Sequence, residues 1–217
     1  MSYEFGCVTY RSMPFWCVGS PLSDPFGGAV LDRFDSLEVA KLIAWAGREG
    51  YVEATSYHDD DLVPWDPEHP EDDLDPASPV YAKLRAIKAV LDGAGVKVHA
   101  SICSLHGHKM FRDGGLCNPD PAIRALAAKK VERTLRIGRF FGAKYYVYWV
   151  ARDGFEVPVL TQWESLYTWL ADGLNHDANG GFDERRDFDR CDRLREHQRR
   201  LFQGAARVSE RAGRCGE

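Results

Sequence analysis

The stretch "YVEATSYHDDDLVPW", residues 51–65, is the most informative part of the sequence for its architecture. Its first seven residues, 51–57, are rich in strand formers and predict a buried β-strand. One histidine and three consecutive aspartates, His58 to Asp61, follow that strand directly. Like charges in a row repel one another, so they occur in a solvated loop or where a cation, a histidine or a polar ligand pairs with them. The stretch therefore indicates either an exposed acidic loop or a polar site at the end of a strand.

Strands and helices alternate on both sides of this stretch. Strands are predicted at 14–19, 51–57, 96–102 and 143–150. Four helices are predicted. The first begins after Asp35 and the second after Ser78. The third runs from about Pro121 to Phe141, and the fourth covers 162–178. Such alternation predicts βαβ units and a parallel sheet, an α/β fold in which binding chemistry collects at the carboxyl ends of the strands. The histidine and aspartates lie at such an end.

Composition and charge narrow the class of protein. The 217 residues are 44% hydrophobic and 28% charged, as in an ordinary globular protein. The net charge of -5 gives no general attraction to nucleic acid or to an anionic membrane. No basic and apolar leader and no membrane-length apolar run is visible, so we expect a cytoplasmic protein. The six cysteines are scattered without a CxxC pair, which favours free thiols.

The character of the sequence changes near residue 183. Residues 1–182 carry the strand and helix pattern, whereas 183–217 are rich in arginine and contain no credible strand. We interpret the first range as one domain and the second as a tail that is either helical or disordered. The tail is either a replacement specific to this lineage or the product of a shifted reading frame.

Four segments carry a resemblance to a known family. They are "FWCVGS" with "DPFGG" (15–28), "HDDDLVPW" (58–65), "MFRDGGLCN" (110–118) and "GAKYYVYWVARDG" (142–154). In this order and spacing, the chain resembles the metal-dependent xylose isomerases of the actinobacterial-like class over about residues 13–154. The resemblance implies a TIM-barrel-like fold, here a partial barrel of about four strand-helix repeats that corresponds to the N-terminal half of the family's (β/α)8 barrel.

The resemblance also implies a reaction and its cofactors. The family interconverts aldoses and ketoses, D-xylose with D-xylulose and D-glucose with D-fructose, by a hydride shift assisted by two divalent ions such as Mg²⁺, Mn²⁺ or Co²⁺. Residue by residue, it assigns His58 and Asp61 to catalysis. His58 would assist opening of the sugar ring, and Asp61 would hydrogen-bond His58. A carboxylate on one imidazole nitrogen fixes the tautomer, which suits acid-base work. Asp59 and Asp60 are then solvated or make structural hydrogen bonds.

Aromatic residues would form the walls of the sugar pocket. The resemblance assigns Trp16 and Trp149 to the two tryptophans that line it, since flat apolar faces suit the C–H face of a sugar. Phe26 matches a phenylalanine that reaches into the neighbouring subunit's pocket, which implies a homo-oligomer, either a dimer or a tetramer. His106 replaces a phenylalanine of the family, so the polarity of the pocket would change there.

The metal ligands of the family are not identifiable. Its later strands supply them, beginning with a Glu-Pro-Lys-Pro segment, and at that spacing this chain reads "CDRLREHQ" (191–198). An alternative metal site from His99, Cys103, His106 and His108 is disfavoured, because an HxH pair without a carboxylate at set spacing is common by chance. No residue is therefore assigned to a metal, and the ions are implied by the resemblance alone.

Three functions remain open at this point. The first is an aldose-ketose isomerase by descent, in an incomplete or inactive form. The second is a non-catalytic module for sugar binding or assembly. The third is another reaction of the same broad barrel superfamily, a sugar epimerase or a metal endonuclease, which also needs late-strand ligands; the negative net charge further weakens the endonuclease.

Overall fold

The computed structural model describes residues 10–19, 34–68, 74–149 and 162–180. Two helices, α1 (Phe15–Gly19) and α2 (Ser36–Arg48), precede strand β1 (Ala54–His58). A one-turn helix, α3 (Asp59–Leu62), follows β1 directly. The order then continues with the elements α4 (Pro79–Gly93), β2 (Lys97–Cys103), a 3₁₀ turn (Lys109–Phe111), α5 (Pro121–Phe141), β3 (Tyr145–Tyr148) and α6 (Trp163–Gly180).

The three strands form one parallel sheet in the order β1-β2-β3. The register pairs His58 with Ile102 and Cys103 with Tyr148, so the carboxyl ends of all three strands meet at one edge. Ser12 adds a single parallel bridge to Ala54 on the outer side of β1. This mixed α/β arrangement with a parallel sheet is compatible with a partial TIM-barrel-like fold.

The strand predicted at 14–19 is wrong, because Phe15–Gly19 form the short helix α1. A short apolar run reads equally well as a buried strand or a buried helix segment, and only Phe15 of this helix is fully buried. Parallel pairing occurs just before this run, at Ser12. Within the described residues the sheet has three strands, so the prediction of four strand-helix repeats is not confirmed.

The predicted helix starts are confirmed. The Asp35 carboxylate accepts a hydrogen bond from the Leu37 amide at 2.8 Å and caps α2. Ser78 caps α4 in the same way, with Pro79 in the first turn. The long third helix runs from Pro121 to Phe141 as predicted. In each case a local side chain satisfies an amide that the helix leaves unpaired, which is why sequence alone finds these starts.

The helices bury their apolar faces against the sheet in two clusters. One cluster gathers residues of α2, α4 and the end of α5 around Tyr57 of β1. The other gathers Cys103, Phe111, Val131 and neighbours beside Trp65. Helix α5 approaches β2 so closely that a Cβ on Gly138 would lie 2.8 Å from the Ser101 Cβ atom. This close approach fixes the position of α5 against β2.

None of the helices in the described ranges has the length and apolarity needed to cross a membrane. The arginine-rich tail, 183–217, lies outside the described residues, so the predicted division into 1–182 and 183–217 stays a prediction.

Candidate functional site

His58 lies at the carboxyl end of β1 and is held by Asp61 from the next turn. The Asp61 Oδ2 atom accepts a hydrogen bond from the His58 amide at 2.8 Å and lies 3.1 Å from His58 Nδ1. Because α3 begins immediately after β1, these two residues sit three positions apart on one turn. Both side chains are nearly buried, at 9% and 7% exposure. The hydrogen bond that the resemblance implies is therefore present, and it fixes the orientation of the imidazole ring.

Three aromatic side chains surround the His58 ring. Trp16, from α1, lies 4.5 Å from it between ring centroids, and Trp149 stacks on it at 5.5 Å. His106 contacts it edge-on at 5.5 Å and also lies 4.5 Å from Trp149. The four rings come from α1, the end of β1, the segment after β2 and the residue directly after β3. We call Trp16, His58, His106 and Trp149 the aromatic cluster.

The residues of the aromatic cluster differ in their exposure to solvent. Counted over the whole residue, Trp149 is 39% exposed, whereas His58 is only 7% exposed. Burial and, second to it, the neighbouring His58 lower the pKa of His106, only partly offset by Asp60 and Asp61. A lowered pKa favours the neutral imidazole, which can both donate and accept a hydrogen bond. The cluster thus presents flat apolar faces beside polar nitrogens at the edge of the sheet.

Asp59 and Asp60 are not solvated. The Asp59 side chain is fully buried, contacts Lys130 Nζ and accepts a hydrogen bond from Arg133 at 2.7 Å. Asp60 is 18% exposed; its Oδ1 lies 3.0 Å from Lys130 Nζ, and its Oδ2 lies 2.8 Å from His108 Nε2. The prediction that these aspartates make structural hydrogen bonds is therefore confirmed. The alternative prediction, that they are solvated, is wrong. We call Asp59, Asp60, Lys130 and Arg133 the buried charge cluster.

Opposite charges make this burial possible. Burial alone would raise the pKa of Asp60, but Lys130, His108 and Arg133 together hold that pKa well below its ordinary value. Burial likewise acts to lower the pKa of Lys130, and the carboxylates of Asp59 and Asp60 raise it instead. The amide of Ser104 donates to Asp59 and that of Trp65 donates to Asp60, each at 2.9 Å. Charge and hydrogen-bonding capacity are thus satisfied inside the fold.

Sequence reasoning missed Lys130 and Arg133. Both lie in α5, in a segment with many charged residues that reads as an exposed helix face. A signal was nevertheless present, since Lys130 and Ile137 are seven residues apart, with Thr134 between them on the same side of the helix. All three of these side chains are fully buried. Cations are one way to pair consecutive aspartates at a strand end, and a lysine on the buried face of a helix can supply one.

Three residues named in the sequence analysis, Phe26, His99 and Cys103, are not part of the aromatic cluster. Phe26 lies outside the described residues, so its place in a neighbouring subunit stays a prediction. His99 lies within β2, near Ser12. Cys103 is buried as a free thiol, and burial together with Asp59 raises its pKa to about 12.

The described ranges contain no group of three His, Cys, Asp or Glu side chains that could hold a metal ion. These residues by themselves do not provide a ligand set for the two ions that the resemblance implies.

A cavity of about 180 Å³ opens next to the site, between α1, α2 and α3. Its lining includes Trp16 and Asp61 from the site, together with Asp35 and Lys83. Its volume is below the roughly 300–1,000 Å³ of typical small-molecule pockets. The cavity therefore extends the site on the Trp16 side and is not by itself a complete binding pocket.

Comparison with known proteins confirms the resemblance, and the chain is homologous to part of the xylose isomerases. The xylose isomerase of Thermus thermophilus is 34% identical over 161 residues, which is 74% of this chain and 38% of that protein. The xylose isomerase of Thermus caldophilus gives the same identity and coverage. No family model matches the chain. The chain thus spans about two fifths of the length of the curated relatives it matches.

Proposed function

We propose, from the homology of this chain to part of the xylose isomerases, that the aromatic cluster binds an aldose sugar and supplies the sugar-handling side of an aldose-ketose isomerase site. The observation that carries this proposal is the contact that Trp16 and Trp149 each make with the ring of a histidine that Asp61 orients. Two flat rings can stack on C–H groups of a sugar, while the histidine contacts its oxygens.

His58 would exchange a proton with the sugar ring oxygen. An ionised carboxylate only accepts hydrogen bonds, so the contact with Asp61 places the proton of a neutral His58 on Nδ1. The opposite nitrogen, Nε2, is then the atom through which a proton passes to or from the substrate. The low exposure of His58 keeps bulk water from competing for that proton.

His106 would add a polar contact to the pocket. Its ring touches both His58 and Trp149, and its lowered pKa keeps it uncharged near neutral pH. A neutral imidazole can hydrogen-bond a sugar hydroxyl, which a phenylalanine at the same place cannot do. D-xylose and D-glucose are the proposed substrates, and Phe26 would complete the pocket of a second subunit in a homo-oligomer.

The activity test is conversion of D-xylose to D-xylulose by the purified chain, with added Mg²⁺ and separately with a chelator. Turnover that requires the metal, is lost in His58→Gln and is kept in His99→Gln would support the isomerase. His99 is the matched control because it is another imidazole on the same sheet, remote from the aromatic cluster along β2. Saturable xylose binding in chelator without turnover under any condition would support the non-catalytic sugar-binding module, and absence of both would refute the proposal.

A further inference from the structure

The orientation of His58 depends on a helix of only four residues. Asp61, which contacts both the amide and Nδ1 of His58, belongs to α3, Asp59–Leu62. A single turn has no stability of its own, because helix nucleation fixes several residues for one hydrogen bond. Tertiary contacts must therefore hold α3 in place.

Ionic contacts from α5 hold the first two residues of α3. Lys130 Nζ contacts Asp59 Oδ2 and lies 3.0 Å from Asp60 Oδ1, so one ammonium group bridges two adjacent carboxylates. Arg133 lies closer to Asp59, at 2.7 Å, than to Asp60, at 3.7 Å. The Lys130 side chain is fully buried, so salt and bulk water screen these contacts little.

Asp59 also ties the turn to the segment that follows β2. The Asp59 Oδ1 atom accepts from the Ser104 amide, in the segment after β2 that also carries His106. Lys130 Nζ also lies 5.4 Å from the centre of the Trp65 ring, a cation–π contact that further holds the ammonium group in place. Loss of the ammonium charge would leave two carboxylates close together with less positive charge opposite them, and repulsion would displace α3.

We propose that Lys130 is a positioning residue for the His58–Asp61 pair, acting through Asp59 and Asp60. It does not touch the ligand itself. The role of the His58–Asp61 pair in sugar binding rests on the proposed function. Its positioning by Lys130 does not, and can be measured without any sugar.

The test uses the proton on His58 Nδ1. While Asp61 accepts this proton in a hydrogen bond, it exchanges slowly with water and gives a separate downfield resonance in the NMR spectrum of histidine-labelled protein. His58→Gln assigns that resonance by its disappearance. We expect Lys130→Met to lose the resonance while retaining the far-UV circular dichroism of the folded protein, and to weaken xylose binding in chelator.

The matched control is Val131→Ala, at the next position of α5. Val131 is also buried, but it packs in the apolar cluster beside Trp65 and carries no charge toward the aspartates. Its truncation should destabilise the fold and yet retain the resonance. If Lys130→Met does not fold, Lys130→Gln removes the charge while keeping a donor, and it too should lose the signal.

A resonance that persists in a folded Lys130 variant would overturn the inference, as would its loss in Val131→Ala, because any destabilisation would then suffice. Wild-type protein that shows the resonance but does not bind xylose would refute the sugar proposal alone, and the variants would still decide the role of Lys130.

Discussion

Substitution of Arg133 by methionine tests the buried charge cluster most severely. Arg133 is 1% exposed and donates to Asp59 at 2.7 Å and to the Val63 carbonyl at 2.8 Å. Each hydrogen bond that involves a charged group contributes about 1.5–3 kcal/mol, so the two together contribute about 3–6 kcal/mol. Lys130 and the Ser104 amide remain bound to Asp59, which keeps the loss in the lower part of that range. We therefore expect Arg133→Met to lower the free energy of unfolding by about 3 kcal/mol.

The assay is urea denaturation followed by circular dichroism, with Lys83→Met as the control. Lys83 pairs with Asp35 at the surface, where the two side chains are 37% and 53% exposed. An exposed pair of this kind contributes about 0–1 kcal/mol and is screened by salt. The loss in Arg133→Met should persist in high salt, because the buried contacts are shielded from ions. A loss below about 1 kcal/mol, or one that disappears in salt, would refute the idea that these charges hold the turn after β1.

Three further predictions concern acid, packing and thiol chemistry. Since the folded-state pKa of Asp60 lies below its ordinary value, its contribution to stability is complete above about pH 4 and is lost as pH falls further; Asp60→Asn should flatten this acid-side decline in pH-dependent denaturation. Gly138→Ala should lower the free energy of unfolding by about 1–3 kcal/mol in urea melts, because the new methyl group would lie 2.8 Å from Ser101; no loss would mean that α5 does not approach β2 so closely. With its pKa raised to about 12 and its side chain buried, Cys103 should remain unmodified by a thiol reagent in the native protein while exposed Cys17 reacts, as read by peptide mass mapping; rapid modification of Cys103 would contradict its burial.

Local signals explain what the sequence predicted correctly. Asp35 and Ser78 begin helices because their side chains accept from amides two residues ahead, and this chemistry needs no tertiary partner. The position of His58 followed from the strand pattern, because a parallel sheet brings its carboxyl ends together. The contact with Asp61 is also local, spanning three residues.

Features that depend on distant contacts were not predictable in the same way. Phe15–Gly19 contain strand-forming residues, yet they form a helix whose Phe15 packs in the core, a tertiary contact that the local pattern does not indicate. Asp59 and Lys130 are 71 residues apart, and although Lys130 lies on the buried face of α5, no local pattern pairs it with Asp59. The meeting of Trp16 and Trp149 around His58 is likewise tertiary; it was expected from the resemblance and not from the residues alone.

A xylose titration that observes the tryptophan side chains would show whether the aromatic cluster binds a sugar. In a chelator-containing sample, the indole N–H resonances of Trp16 and Trp149, assigned through Trp→Phe variants, should shift saturably as xylose is added. Those of Trp45 and Trp163, which are each 50% exposed and lie on α2 and α6, should not shift. Indole signals that all stay fixed, or that all drift together without saturation, would contradict a sugar site at the aromatic cluster.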